Sequence, residues 1–294
     1  MLFWLVASGT VLFLKESLVD RRTLKRIVRT RCPGLDGRVV ALVAAGSLLR
    51  AKIAESLSSG GVPDALTAAI EMAHTASLLH DDVLDQESWR RGGESFNRLL
   101  GNRACILNGD ILLSGATVIM GRQGDMALLE AFMAAVQETC QGEIAQQRFL
   151  LKRPPSLCDY FENARAKTGS FFGFAAFCGA TFSPLQGERK GLEDVFSRIG
   201  ALYQLLDDLE DSTTQNKSRT DVANGLVTFP AVLYGKGKGG LPSSEEERMQ
   251  LYRERGIMKK GRGYIFRRYA VLSARLEKML SDRTLLEAID GIFR

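Results

Sequence analysis

The spacing of its helix breakers is what most constrains this chain. Breaks fall at Cys32-Pro33-Gly34, Ser58 to Pro63, Gly121 to Gly124, Arg153-Pro154-Pro155, Ser183 to Gly187 and Gly235 to Pro242. The long segments between them are rich in Ala, Leu, Glu, Arg and Met, all strong helix formers. Strand-like alternation is nearly absent. Apolar or small residues recur at helical spacing, as in Leu202, Leu205, Leu206 and Leu209, or Leu66, Ile70, Ala73 and Ser77. No linker long enough to divide two domains is visible. The pattern predicts an all-α fold, a single bundle of long, mostly antiparallel helices over residues 1–294 with short connections. Within it, 1–30 forms an N-terminal helix or arm, Arg38 to Leu57 one inner helix, and Gly235 to Glu247 a flexible loop.

Charge and composition remove several classes of function. The net charge of +5, from 39 Lys and Arg against 34 Asp and Glu, is too mild to indicate nucleic acid. The five cysteines (Cys32, Cys105, Cys140, Cys158, Cys178) are odd in number, widely spaced and free of any CxxC pair. A disulfide framework or zinc site is therefore not expected, and a reducing cytoplasm is. With His74 and His80 as the only histidines, a His-rich metal site is excluded. The run Met1 to Leu14 is apolar but ends at Lys15 and Glu16, short of the ~20 residues of a membrane span. It reads as a packing element that leaves room for peripheral membrane contact.

Two acidic motifs carry the chemistry. In EMAHTASLLHDDVLDQESWRRG, Asp81 and Asp85 lie four apart and share a helix face, with Asp82 beside them. Like charges at that spacing repel, and Asp is a poor helix former, so the pattern asks for a functional reason. Oxygen ligands without His or Cys partners point to Mg2+, which binds through one or two carboxylates plus substrate phosphates. One such motif is as readily a solvated acidic face. However, YQLLDDLED repeats the spacing at Asp207, Asp208 and Asp211 after another apolar run. Two such motifs on separate helices can face each other around one diphosphate. Arg90 and Arg91 follow the first cluster and Lys217 the second, which adds cations suited to phosphate oxygens. The set is a diphosphate clamp, with no Ser/His/Asp triad or glycine-rich phosphate loop competing with it.

These residues resemble the trans-isoprenyl diphosphate synthases, most closely the medium- and long-chain polyprenyl diphosphate synthases. The similarity runs from about Arg38 to Tyr234 through both Asp-rich regions, GNRACILNGDILL, GEIAQ at 142 to 146, KTG at 167 to 169, and Lys217, Asp221, Gly225, Thr228 and Pro230. The resemblance implies helices around a deep central cavity and a homodimer. It implies a prenyltransferase that condenses isopentenyl diphosphate with an allylic diphosphate. Asp81, Asp85 and Asp207 would hold Mg2+, and Arg90, Lys167, Gln204 and Lys217 would serve the allylic diphosphate. Arg38, His74 and Arg91 would hold isopentenyl diphosphate. Asp82, Asp208 and Asp211 complete the catalytic clusters. Residues 235–294 diverge from the family. Another departure is Pro33-Gly34-Leu35-Asp36-Gly37-Arg38-Val39, where the family shows GGKRLRP: Leu35 and Asp36 replace two basic residues, so weaker isopentenyl diphosphate binding is expected.

Two other readings remain at this level. A class I terpene cyclase ionises the same substrate without isopentenyl diphosphate, and a partner subunit of a heteromeric synthase need not turn over alone. Retained Arg38, His74 and Arg91 favour elongation, and two complete Asp clusters disfavour the subunit. Ser77 and Ala76, four and five residues before Asp81, lie one turn below it. Their small size leaves a product channel open, so a product longer than geranylgeranyl diphosphate is expected. The Phe171 to Phe177 stretch reads as core packing, and the basic run Met258 to Arg268 as a solvated helix face. His80 is read either as support for Asp81 or as a structural hydrogen-bonding group.

Overall fold

A computed structural model describes residues 20–86, 89–90, 93–149, 155–212, 227–235, 242, 244–280 and 283–293. In chain order the helices are α1 (Arg21–Arg31), α2 (Gly37–Val43), α3 (Leu49–Leu57), α4 (Asp64–Leu84), α5 (Phe96–Leu100), α6 (Asn102–Gly121), α7 (Met126–Gln146) and α8 (Leu157–Ala164). A π-helical turn (Arg165–Gly169) leads into α9 (Ser170–Thr181), and a 3-10 turn (Pro184–Glu188) precedes α10 (Arg189–Asp211). The last helices are α11 (Phe229–Tyr234), α12 (Glu245–Glu254), α13 (Ile257–Met279) and α14 (Arg283–Phe293). Among the described residues, the one departure from helices and their connections is a ribbon of two residues a side, β1 (Trp89–Arg90) with antiparallel β2 (Gly93–Glu94). The segment Met1 to Leu14 and most of 235–247 lie outside the described residues; α12 starts at Glu245 with Ser244 as its N-cap.

The described residues group into two compact units, 20–136 with 174–190 and 137–173 with 191–293. In the first, α4 is the central element. Leu66, Ala68, Ala69, Ile70, Met72, Ala73, Ala76 and Leu79 are all buried, covering most of its circumference. Small residues let α6 run close beside it. A Cβ at Gly109 would sit 2.3 Å from the His80 Nε2, and one at Gly115 2.4 Å from the Cys32 Sγ and 2.9 Å from the Met72 Cε. At both positions a Cβ would force a neighbouring side chain to shift, so the glycines let the two helices pack with His80, Cys32 and Met72 where they are. α1 is capped by Asp20, whose carboxylate accepts from the backbone of Arg22 and Thr23. It buries Leu24 in a cluster with Ala44, Leu48, Ala51 and Ala68.

The inner helix expected over Arg38 to Leu57 is corrected to two helices. α2 ends at Val43, Gly46 and Leu48 take positive φ (68° and 52°), and α3 begins at Leu49. The break is held from outside: the Arg21 guanidinium donates to the Ala44 carbonyl and, at 2.7 Å, to the Gly46 carbonyl. Such a contact satisfies carbonyls that a continuous helix would have used internally.

In the second unit, the π-turn and α10 cross at a pair of glycines. A Cβ at Gly169 would lie 2.1 Å from the Ser197 carbonyl oxygen, and one at Gly200 2.8 Å from the Gly169 Cα. The C-terminal α14 is anchored on α13 by Tyr269 stacking on Phe293 (4.3 Å between centroids) and by the Tyr269 hydroxyl donating to Asp290 at 2.5 Å. Along α9, Phe171, Phe172, Phe174 and Phe177 are all buried, in line with the core-packing reading.

Candidate active site

In the first unit the acidic cluster closes α4. Asp81 and Asp82 fill its last turn and Asp85 is the C-cap, its N–H bonded to the Asp81 carbonyl at 2.8 Å. Carboxylates at a helix C-terminus meet the negative end of the backbone dipole, and no basic residue occupies that last turn. A cation placed against these carboxylates would be favoured by the same dipole. Asp81 and Asp85 are half-buried and share the same face one turn apart.

Asp82 differs from them. It is buried, and its carboxylate accepts the Phe96 N–H at 2.9 Å, pinning the start of α5 beneath the cluster. His80 reaches toward α6, with Nε2 3.3 Å from the Ile106 carbonyl and 3.4 Å from the Asp110 carboxylate. His74 is half-buried on α4, Ala76 is buried, and the Ser77 hydroxyl is spent on the His74 carbonyl at 2.8 Å.

Arg38 lies on the exposed face of α2, and Asp36 is both the cap of that helix and its partner. The Asp36 carboxylate accepts the Arg38 N–H at 2.8 Å and pairs with the guanidinium at 2.9 Å. The Arg38 side chain holds the Asp36 carboxyl down at about 2, helped by its backbone N–H. The backbone of Arg90 lies in β1, whereas Arg91 and Lys217, with Asp221 and Gly225, fall outside the described residues.

In the second unit, three expected residues come together with several that the sequence reading gave no role. Lys167 sits in the π-turn, where its ammonium pairs with Glu143 at 2.5 Å and donates to Gln146 at 2.9 Å. Its side chain keeps 23% of its surface, so a ligand can still reach it. Gly142 makes this possible, because a Cβ there would lie 2.7 Å from the Lys167 backbone nitrogen. The GEIAQ motif therefore supplies a notch and two oxygen partners that aim Lys167.

From the same turn the Thr168 hydroxyl donates to the Gln204 carbonyl oxygen at 2.7 Å, and the Gln204 amide donates to Asp208 at 3.0 Å. Asp208 also accepts from the Tyr160 hydroxyl and, at 3.2 Å, from the Phe229 N–H. Desolvation pushes the Asp208 carboxyl up to about 6, with the Asp207 charge adding to the rise while Tyr160 and Gln204 oppose it. Asp208 thus ties α8, α10 and α11 together. Asp207 and Asp211, on the same helix, remain half-buried.

In both clusters the middle aspartate bonds to the fold, Asp82 through the Phe96 N–H and Asp208 through Tyr160, Gln204 and the Phe229 N–H. Tyr160, seven residues before Lys167, and Thr168 were missed because nothing local marks a hydroxyl as the partner of a distant carboxylate. Among the described residues, no three His, Cys, Asp or Glu side chains converge as a closed cage. Paired carboxylates fit a hard divalent cation that takes its remaining oxygens from water and phosphate.

A family model for polyprenyl synthetases matches residues 23–255. The octaprenyl diphosphate synthase of Escherichia coli is 36% identical over 173 residues, 56% of this chain and 53% of that protein. The nonaprenyl diphosphate synthase of Mycobacterium tuberculosis is 32% identical over 196 residues, 63% and 58% respectively. Solanesyl diphosphate synthase 2 of Arabidopsis thaliana is 30% identical over 209 residues, 65% and 50%. The chain therefore spans about half the length of the curated relatives it matches. A decaprenyl diphosphate synthase structure from Rhodobacter capsulatus superposes with a TM-score of 0.83 at 23% identity, over 95% of this chain and 97% of that one. At that identity the likeness establishes the fold.

Proposed function

Because the chain belongs to the polyprenyl synthetase family, we propose that it is a magnesium-dependent trans-prenyltransferase, with 1–294 acting as one catalytic domain. It condenses isopentenyl diphosphate with an allylic diphosphate and carries the product beyond geranylgeranyl. The carboxylates Asp81 and Asp85, one turn apart on one face at the C-terminal end of α4, are the observation that carries this reading. Asp81, Asp85 and Asp207 hold magnesium against the allylic diphosphate. When bound, the ion supplies Lewis-acid stabilisation of the departing diphosphate.

The chain's own residues do the rest. Lys167, aimed by Glu143 and Gln146, binds the same diphosphate together with Arg90 and Lys217. Gln204, oriented by Thr168 and Asp208, lines the site at the reacting carbon. Asp82 and Asp208 act as positioning residues that hold Asp81 and Asp207 in place through the backbone. Arg38, His74 and Arg91 receive isopentenyl diphosphate, whose double bond attacks the allylic cation. Arg38 must first leave Asp36, so binding of that substrate is weakened relative to a site without the acid. Apolar walls keep water from quenching the cation.

A homodimer is supported by α5 and α6, which leave Leu99, Ile106, Leu107, Ile111 and Val118 exposed. By length and composition α6 could cross a membrane, with a mean hydropathy of 1.5, yet it packs along α4; covering its outer face with a second copy accounts for the exposed side chains. The five cysteines, none of them bonded, suit a cytoplasmic protein.

The test is incubation of the purified chain with magnesium and each allylic primer, with and without isopentenyl diphosphate, followed by sizing of the products. Chain elongation only in its presence supports the reading. Cyclised products formed without it would make the chain a cyclase, and no turnover without a second protein would make it a partner subunit.

A further inference from the structure

α1 carries six cations in eleven residues, Arg21, Arg22, Lys25, Arg26, Arg29 and Arg31, and no acid. Leu24 and Val28 are buried against the unit's own core, with Ile27 packed beside them. The apolar side of the helix is therefore already occupied. Arg21 is committed to the Ala44 and Gly46 carbonyls. Arg31 is exposed at the last residue of the helix, and Arg22, Lys25, Arg26 and Arg29, spaced i, i+3, i+4 and i+7, form a stripe along one face over ~10 Å. Arg22, Arg26 and Arg29 are exposed and Lys25 is half-buried.

Three other cations of the same unit are matched: Arg38 with Asp36, Arg98 with Glu94 and Arg189 with Asp125. Among the described residues, none of the four stripe cations forms an ion pair. The Asp20 carboxylate is turned to the backbone N–H groups of Arg22 and Thr23 and to the Thr23 hydroxyl. Four like charges in a row repel a second copy of themselves and attract an anionic surface.

We propose that this face of α1 docks the protein on an anionic lipid bilayer. Two features favour lipid over nucleic acid. The net charge of +5 leaves little positive field beyond the stripe, whereas nucleic-acid binders neutralise many phosphates. The sequence from Met1 to Leu14, just ahead of α1, is apolar and suits an interface rather than a polyanion in water. Since Leu24 and Val28 face inward, α1 itself inserts nothing; attachment is electrostatic, peripheral and salt-reversible. A clustered Lys or Arg near an anionic leaflet strengthens partition by about fivefold each.

The test is co-sedimentation of the full chain with vesicles of pure phosphatidylcholine or of phosphatidylcholine with one third phosphatidylglycerol. It reads partition and not turnover, so it succeeds or fails separately from the prenyl-transfer reading. Binding only to the anionic vesicles and release in ~1 M salt, where the screening length is ~3 Å, are expected. Arg22→Gln/Arg26→Gln should weaken partition by about 25-fold. Arg22→Lys/Arg26→Lys should retain it, and both variants should melt as the wild type does. Equal binding to neutral vesicles, binding that survives high salt, or an unchanged Gln variant would overturn the proposal. So would tighter binding to a DNA duplex than to the vesicles, lost through the same substitutions.

Discussion

Tyr160→Phe removes one hydroxyl and nothing else, and so isolates the bond that ties α8 to Asp208. In the wild type the Asp208 carboxyl is raised from 3.8 to about 6, chiefly by desolvation, while the Tyr160 hydroxyl opposes that rise by donating to the charged form. A folded-state pKa above the unfolded one means that Asp208 contributes stability below about 3.8, lost as pH rises through about 6. Without the hydroxyl the folded pKa rises further and the loss extends to higher pH. At pH 8 the carboxylate is ionised and the deleted bond is charge-assisted, so the variant should be less stable by about 1.5–3 kcal/mol. At pH 5 Asp208 is mostly protonated, the bond is neutral, and the difference should shrink to about 1 kcal/mol. With an unfolding entropy of roughly 2.1 cal/mol/K per residue, the alkaline loss lowers the melting temperature by about 2–5 °C. The assay is thermal unfolding of both proteins at the two pH values. A stability difference that is absent, or the same at pH 5 and pH 8, would refute the placement of this carboxylate. Turnover gives a second readout: kcat should fall with KM little changed, because Asp208 acts through the helix that carries Asp207.

Other consequences follow from the same geometry. Asp81→Ala or Asp207→Ala should cut turnover by orders of magnitude while unfolding stays near that of the wild type, since each relieves repulsion and empties no core site; near-normal activity would remove the clamp. Leu35→Lys with Asp36→Arg should lower the KM for isopentenyl diphosphate by roughly ten- to a hundredfold, because it adds a charge-assisted contact and frees Arg38. Ala76→Tyr should shorten the product to the farnesyl or geranylgeranyl class, read by sizing the prenyl chain; an unchanged length places the cavity floor elsewhere. Gly169→Ala should destabilise the fold by more than ~2 kcal/mol, since its Cβ would meet the Ser197 carbonyl, and denaturant unfolding measures it.

The sequence by itself determined the helical class, because the spacing of breakers and apolar residues is a local property written into every turn. It also placed each aspartate cluster on a helix with its acids sharing a face, since four-residue spacing needs no tertiary information; that each cluster closes its helix was seen only in the fold. Which aspartate does what was decided only by the fold. Asp82 and Asp208 look like their neighbours in the chain, yet the Phe96 N–H, the Tyr160 hydroxyl and the Phe229 N–H claim them from far away along it. The same holds for the break between α2 and α3, which Arg21 stabilises from another helix, against a periodicity that alone predicts continuity. The notch at Gly142 that aims Lys167 and the contact of Gly169 with Gly200 depend on which backbones approach each other. A glycine in a helix-forming segment signals only that something comes near. What comes near is set by packing between segments that the sequence separates by dozens of residues.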